Sequence, residues 1–382
     1  MAHWIFNREH EMLRDAVRSW VKKEIIPYVD DWERMEEFPA HLFKRAGELG
    51  YLGIKFPEEY GGSGDDLIME TVFLEELAKC GSNGVAAGIG GHIGIGLPPI
   101  WRFGNEEQKR KYLTPGIRGE QITAFAITEA YAGSDVAGIR TTARKEGDCY
   151  VLNGSKMFVT NGVRADVAVV AAKTDPAAGH RGISLFLVET NTPGFSVGRK
   201  LKRLGWRASD TAELIFDEVK VPTANLLGEE NKGFYYIMQN FQWERITLAI
   251  MSVGTAESAL EAAIQYAGER TQFGGPIRRF QVIQHMLVDM AVEIERARHL
   301  TYHALYLYAN GEDAVTETTM AKALAAEMAR EVTDMAIQIH GGNGYMMEYP
   351  VQRYWRDARL QPIGGGTTEI MNEILVKRMG LV

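Results

Sequence analysis

Tyr150-Val151-Leu152-Asn153-Gly154-Ser155-Lys156-Met157-Phe158-Val159-Thr160 reads as a strand, an Asn-Gly turn and a second strand. Asn-Gly supplies the left-handed backbone that a two-residue hairpin needs. Asn161-Gly162 offers another turn, and residues 167–172, 183–188 and 212–221 follow as strand candidates between Gly and Pro punctuation. Short strands with turn signals at this spacing predict a small antiparallel barrel or sandwich. On both sides of this segment the rhythm is helical. The chain is therefore expected to be α+β. It divides into an N-terminal all-α domain over 1–120, a middle antiparallel β-barrel domain over 121–228 and a C-terminal four-helix bundle over 229–382.

Upstream, residues 8–23 carry Met12, Leu13, Val17 and Trp20 on one stripe, and Pro27 stops the run. A second helix over 40–49 ends at Gly50, the usual C-terminal punctuation, and 66–79 reads as a third. Asn105 and Gln108 have the spacing of a capping box. Residues 84–96 are rich in Gly and Ala, which suits either a close helix neighbour or a ligand tail. Downstream, 252–269, 281–309 and 318–340 are long, Ala-rich and separated by Gly-Gly-Pro and Asn-Gly breaks, the pattern of an antiparallel bundle.

Bulk properties narrow the class. A chain of 382 residues can bury a substantial core, and 46% hydrophobic with 24% charged residues is ordinary for a globular protein. A net charge of -8 with no Lys/Arg block argues against nucleic-acid binding. Cys80 and Cys149 are far apart and outside any CxxC, which implies neither a disulfide framework nor a metal site and fits a reducing compartment. Met1-Ala2-His3-Trp4 does not open a secretory signal, and no apolar run approaches the ~18 residues of a membrane span. The expected location is cytoplasmic, or the mitochondrial matrix for a mature form.

One residue breaks its own pattern. In 237–251, Ile237, Phe241, Glu244, Leu248 and Met251 fall on one helical face, so a carboxylate interrupts an apolar stripe. Such a group is usually paired, protonated or working, and desolvation raises its pKa toward neutrality. Pairing with Arg245, or rotation of Glu244 to solvent, are the structural alternatives. Familiar sites are missing: Gly88-Ile89-Gly90-Gly91-His92-Ile93-Gly94 lacks Rossmann spacing, and no Walker loop, HExxH or GxSxG occurs. His340 reads as a turn residue. What remains are loops rich in Gly and hydroxyls, at 128–135, 340–345 and 364–369, which offer N–H groups and hydroxyls to phosphates or a polar ring.

Taken in order, these segments resemble the acyl-CoA dehydrogenase family over nearly the whole chain. The resemblance rests on Phe125-Ala126-Ile127-Thr128-Glu129, Leu152-Asn153-Gly154-Ser155-Lys156, Phe158-Val159-Thr160-Asn161-Gly162 and Asp210-Thr211-Ala212-Glu213. It continues through Gly228-Glu229-Glu230-Asn231-Lys232-Gly233-Phe234, Glu269-Arg270-Thr271-Gln272-Phe273-Gly274 and Gln338-Ile339-His340-Gly341-Gly342-Asn343-Gly344-Tyr345. Many members carry the catalytic Glu in the C-terminal loop, where this chain has Gly365. The long-chain and isovaleryl branches place it on the first bundle helix, at the position of Glu244. The chain is thus similar to that branch, with Glu244 as the implied base. Ala130-Tyr131 departs from the family's usual Pro-Gly.

The resemblance implies FAD and a site for it. Phe125, Ile127, Thr128, Gly133, Ser134, Phe158 and Thr160 would line the flavin ring. Arg270, Gln272, Phe273, Gln281, Gln338, Gly341 and Gly342 would reach the FAD of a neighbouring subunit in a homotetramer built as a dimer of dimers. Thr367 and Glu369 would contact its nucleotide part. Ser134, Arg245, Gly365 and Gly366 would contact the acyl-CoA, with the Gly365 N–H and a flavin ribityl hydroxyl stabilising the enolate oxygen. The implied reaction is α,β-dehydrogenation to trans-2-enoyl-CoA, long or branched chains favoured, with electrons passed to electron transfer flavoprotein. An oxidase using dioxygen and a non-catalytic binding partner are the rival readings.

Overall fold

The computed structural model describes residues 3–64 and 66–381, so Met1 and Ala2 of the leader reading lie outside it. The N-terminal part is helical: α1 (Arg8–Trp20), α2 (Val29–Met35), α3 (His41–Glu48), α4 (Leu67–Ala78), α5 (Asn83–Gly91), α6 (Leu97–Phe103) and the short α7 (Glu106–Gln108) and α8 (Thr114–Ile117). Asn7 and Asp66 cap α1 and α4 by accepting backbone N–H groups, and Asn105 with Gln108 forms the expected capping box. Pro27 does not stop the first run. A π-turn over Val21–Ile25 and a 3-10 turn over Ile26–Tyr28 carry the chain on into α2, because Pro27 sits in the first turn of that piece, where no N–H is needed. Of the first stripe, Val17 and Trp20 are buried and Met12 is exposed.

Residues 150–160 are not a hairpin. They belong to one strand, β3 (Cys149–Thr160), irregular at Gly154, where the pairing with β7 shifts register. Gly154 has φ +145 and lies against Thr141, where a Cβ would collide with Cα, Cβ and Oγ1; the glycine serves close strand approach instead of a turn. The sheet is completed by β1 (Thr123–Ala126), β2 (Thr142–Glu146), β4 (Val167–Lys173), β5 (Ile183–Glu189), β6 (Phe195–Lys200), β7 (Thr211–Pro222) and β8 (Leu226–Leu227). Its order is β6-β7-β3-β2-β4-β5-β8, with β1 beside β4, and its ends do not pair, so the sheet is not a closed barrel among the described residues. Pairing is antiparallel except where β1 and the start of β2 run parallel to β4. β4 and β5 are buried on both faces, one against the sheet's own core and one against α6, α8 and the start of the long helix that follows, which accounts for their unbroken apolar runs.

The C-terminal part has three long helices, α9 (Gly233–Glu269), α10 (Gln281–Ala309) and α11 (Val315–His340), with α12 (Val351–Ala358) and α13 (Thr368–Arg378) packed on α11. Their contact is lined by Ala256, Ala259, Ala263, Ala321, Ala325 and Ala329, small residues that let the axes approach. α9 unites the two helical segments read separately from the sequence. Among the described residues, no helix is long and apolar enough to cross a membrane.

Candidate active site

On α9 the stripe folds as its spacing predicts. Ile237, Leu248 and Met251 are buried, and Phe241 and Glu244 are half-buried. The Glu244 Oε2 is sealed from solvent and meets no hydrogen-bond donor. Neither structural alternative holds: the carboxylate does not turn outward and forms no ion pair with Arg245. Burial without a donor pushes its pKa up to about 7, opposed in part by the charges of Arg245 and Lys322. Arg245 is itself buried, its Nε has no partner, and burial depresses its guanidinium despite Glu244. A charged donor without an acceptor is thus held next to a carboxylate without a donor.

The 364–366 loop meets Glu244 from the other side. Gly365 and Gly366 have φ of 65° and 102°, the left-handed region where glycine is favoured. A side chain at Gly365 would overlap Leu248 Cδ1 and stand 3.5 Å from Glu244 Oε1. Position 365 of the loop and Glu244 of α9 therefore converge on one point. Lys322 of α11 completes the cluster by donating its Nζ to the Gly366 carbonyl. Burial and then Arg245 lower its pKa to about 8, while Glu244, Glu327 and Glu369 act the other way. Sequence reasoning missed Lys322, although Ala321-Lys322-Ala323-Leu324-Ala325 interrupts an apolar run with a charge as the Glu244 stripe does.

A second group gathers at the ends of β1 and β3. The Met157 N–H donates to the Thr128 carbonyl at 2.7 Å, which brings the 127–134 loop beside Phe158 and Thr160. Beneath it, buried Lys156 donates to Glu129 Oε1 at 2.7 Å and to the Ile127 carbonyl at 3.1 Å. Ala130 and Tyr131 form a tight turn closed by reciprocal Glu129 and Ala132 backbone bonds of 3.1 Å, with Tyr131 outward under Arg140. Phe158 is 66% exposed in the left-handed region, φ 60°, and Gly133 and Ser134 are exposed beside it. Thr128 and Thr160 hydroxyls have no protein partner among the described residues. An exposed ring on a strained backbone next to free hydroxyls suits a flat, polar-edged ligand such as a flavin. The glycine-rich segment separates this group from Glu244: Gly91 faces Thr160 Cγ2 at 3.9 Å and Gly94 faces Thr247 Oγ1 at 3.5 Å, measured from where a Cβ would stand.

The remaining expected residues lie elsewhere. Arg270 caps α9, and Gln272, Phe273 and Gln281 follow it, all exposed, Phe273 at 88%. Gln338, Gly341 and Gly342 are exposed next to them, since His340 stacks on Tyr266 at 4.2 Å and Asn343 bonds the Tyr266 hydroxyl at 2.9 Å. Arg270 is 26 residues beyond Glu244 along one helix, or about 39 Å of rise. One copy of the chain does not bring these two groups together. Thr367 caps α13, and with Thr368, Glu369, Glu327, Arg330 and Arg359 it lines a surface cleft of about 320 Å³. Its two arginines are balanced by two glutamates, Arg330 being bonded to Glu327 at 2.9 Å.

Comparison with known proteins matches this arrangement from end to end. The acyl-CoA dehydrogenase N-terminal, middle and C-terminal domains match residues 7–120, 124–219 and 231–380. The chain is 46% identical to an acyl-CoA dehydrogenase of Bacillus subtilis over 97% of both chains. It is 42% identical to the mitochondrial short-chain specific enzyme of Mus musculus over 96% of this chain and 89% of that one. It is 41% identical to the long-chain specific enzyme of Sus scrofa over 98% and 87%. An acyl-CoA dehydrogenase structure from Geobacillus kaustophilus superposes with a TM-score of 0.96 at 45% identity, covering 99% of this chain and 100% of that one. The chain belongs to the acyl-CoA dehydrogenase family, FAD-dependent oxidoreductases that act on the CH–CH bond of acyl-CoA substrates.

Proposed function

We propose that this protein converts an acyl-CoA to its trans-2-enoyl-CoA with Glu244 as the base. The observation that carries the reading is a donor-less carboxylate, its Oε2 sealed from solvent and its Oε1 facing the 364–366 loop. Glu244 takes the α-proton as the β C–H leaves with its electron pair, and the Cα–Cβ double bond forms between them. A pKa near 7 leaves about half the carboxylate ionised at neutral pH while making it a stronger base than an exposed one. The Gly365 N–H is assigned to the developing enolate oxygen, and Arg245 and Ser134 to the polar part of the substrate. Bound FAD supplies the acceptor for the β-hydrogen, held by Phe125, Ile127, Thr128, Gly133, Ser134, Phe158 and Thr160, with Thr367 and Glu369 toward the nucleotide.

Arg270, Gln272, Phe273, Gln281, Gln338, Gly341 and Gly342 are assigned to the cofactor of a second copy. Their exposure and their remoteness from Glu244 support this, and a homotetramer built as two dimers would supply it. The domains of this reading are 1–120, 121–228 and 229–382, and the electron acceptor is electron transfer flavoprotein. Long or branched chains are favoured because the small residues Gly91 and Gly94 lie between the ring site and α9. The relatives include both short- and long-chain enzymes, so a panel of acyl-CoA lengths decides this point.

Glu244→Gln keeps volume and cofactor content and removes the proton acceptor. Anaerobic flavin bleaching by acyl-CoA should slow by about two to four orders of magnitude, the scale of a lost general base. Bleaching at the parental rate sinks the assignment. Recolouring in air by the wild type should be slow, and fast recolouring would mark an oxidase.

A further inference from the structure

Lys322 is a buried charge that the reading of Glu244 as the base leaves unused. Only 1% of its surface is exposed, and a lysine is almost never buried to that extent without a partner. Its ammonium is directed at a backbone carbonyl, that of Gly366, in place of a carboxylate. The loop it grips contains two consecutive left-handed glycines, the most adaptable backbone available. A second tie comes from the same helix, where Glu327 Oε1 accepts from the Thr368 hydroxyl at 3.1 Å. Just before these anchors, a side chain at Gly365 would overlap Leu248 Cδ1 and meet Glu244 Oε1 at 3.5 Å.

We propose that Lys322 is a positioning residue: it holds the 364–366 loop against the Glu244 carboxylate and fixes a positive charge behind the base. The proposal rests on Glu244 being that base. Besides Arg245, the charged groups around this cluster are Lys322, with Glu327 on α11 and Glu369 on α13 acting on it; Glu70 of α4, paired with Lys55 and influenced by Arg102, meets α9 at the Trp243 indole. Of these, only Lys322 joins Arg245 in acting on Glu244, and both oppose the effect of burial. Removing the Lys322 charge should therefore make Glu244 harder to ionise, and removing its hydrogen bond should loosen the loop.

The test uses FAD-loaded protein with Lys322→Met, Lys322→Gln and Lys322→Arg. The infrared carboxyl band of Glu244, assigned by its loss in Glu244→Gln, is followed against pH. The wild type should titrate near 7. Lys322→Met and Lys322→Gln should raise that midpoint by roughly 0.5–1 unit, and Lys322→Arg should leave it in place. Well above the midpoint, Lys322→Met should also reduce its flavin about tenfold more slowly, whereas Lys322→Gln, which retains an N–H donor, should lose less. An unmoved band in both neutral variants overturns the proposal. So does a chain that folds only with Lys or Arg at 322, which would make the lysine purely structural. The band does not depend on turnover: parental flavin reduction by Glu244→Gln would defeat the base assignment, and a static band would defeat the role of Lys322 alone.

Discussion

Glu129 and Glu244 are two carboxylates withdrawn from water in one chain, and they end up with opposite character. Glu129 accepts from Lys156, from the Thr141 hydroxyl and N–H and from the Arg140 N–H, at 2.6–3.0 Å. Burial works against its ionisation, yet Lys156 and these donors outweigh it and hold the pKa below the usual range. Glu244 is half-buried with Oε2 sealed and meets no donor among the described residues, and burial wins. Desolvation alone therefore does not make a base; desolvation with the donors withheld does. The satisfied carboxylate braces the 127–134 loop, and the unsatisfied one is left free to accept a proton.

The largest effect expected from this contrast is on the braced side. Lys156→Met leaves Glu129 ionised and buried with part of its shell gone, and should destabilise the protein by about 3–5 kcal/mol in denaturant unfolding. A loss within about 0.5 kcal/mol would place Glu129 with the exposed pairs that contribute little. On the other side the sign reverses. The folded pKa of Glu244 is raised from 4.5 to about 7, so its contribution is neutral below the unfolded value and becomes unfavourable as pH rises through the folded one. Glu244→Gln should match the wild type in stability at about pH 4 and exceed it by about 1–3 kcal/mol above pH 7. A stability difference that does not vary with pH would contradict the donor-less carboxylate.

The smallest effect tests whether the two backbone positions share one site. Glu244→Gly with Gly365→Glu moves the carboxylate to the loop. It has to overcome the left-handed backbone at 365, a cost of roughly 1–3 kcal/mol, and the contact with Leu248. Flavin reduction should recover about tenfold over Glu244→Gly alone, more when Leu248→Ala makes room, with an altered chain-length preference. A double variant that stays at the level of Glu244→Gly would weaken convergence and leave the base where it is.

Long periodic elements were legible in the sequence because their packing repeats. The bounds of α10 and the stripe of α9 follow from spacing, and Asn105 and Gly50 mark the start of α7 and the end of α3 as caps should. β2 and β6, Thr-Ala-Arg-Lys-Glu and Phe-Ser-Val-Gly-Arg-Lys, were not legible, since they are mostly exposed and lack apolar alternation. Gly154 was misread because Asn-Gly signals a hairpin locally, and only Thr141, brought in by β2, reveals a close approach. In the site, Glu244 betrayed itself by breaking a stripe. Lys322 breaks an apolar run in the same way but is easily passed over, as a lysine on an Ala-rich helix usually lies on its wet face. The meeting of Gly365 with Glu244 joins segments about 120 residues apart, which spacing within one helix does not register.

The 3.5 Å between Glu244 Oε1 and the missing side chain of Gly365 also bears on ancestry. A lineage moving its base between helix and loop must take one substitution first. If Glu244 is the base, losing it first leaves a chain without one, which selection removes. Gaining Glu at 365 first sets two carboxylates side by side, which cannot both ionise and come to share one proton. Because burial already favours the protonated form of Glu244, that shared proton adds little burden at physiological pH. The passable intermediate is the two-carboxylate form, so an ancestor between the branches should carry glutamate at both positions.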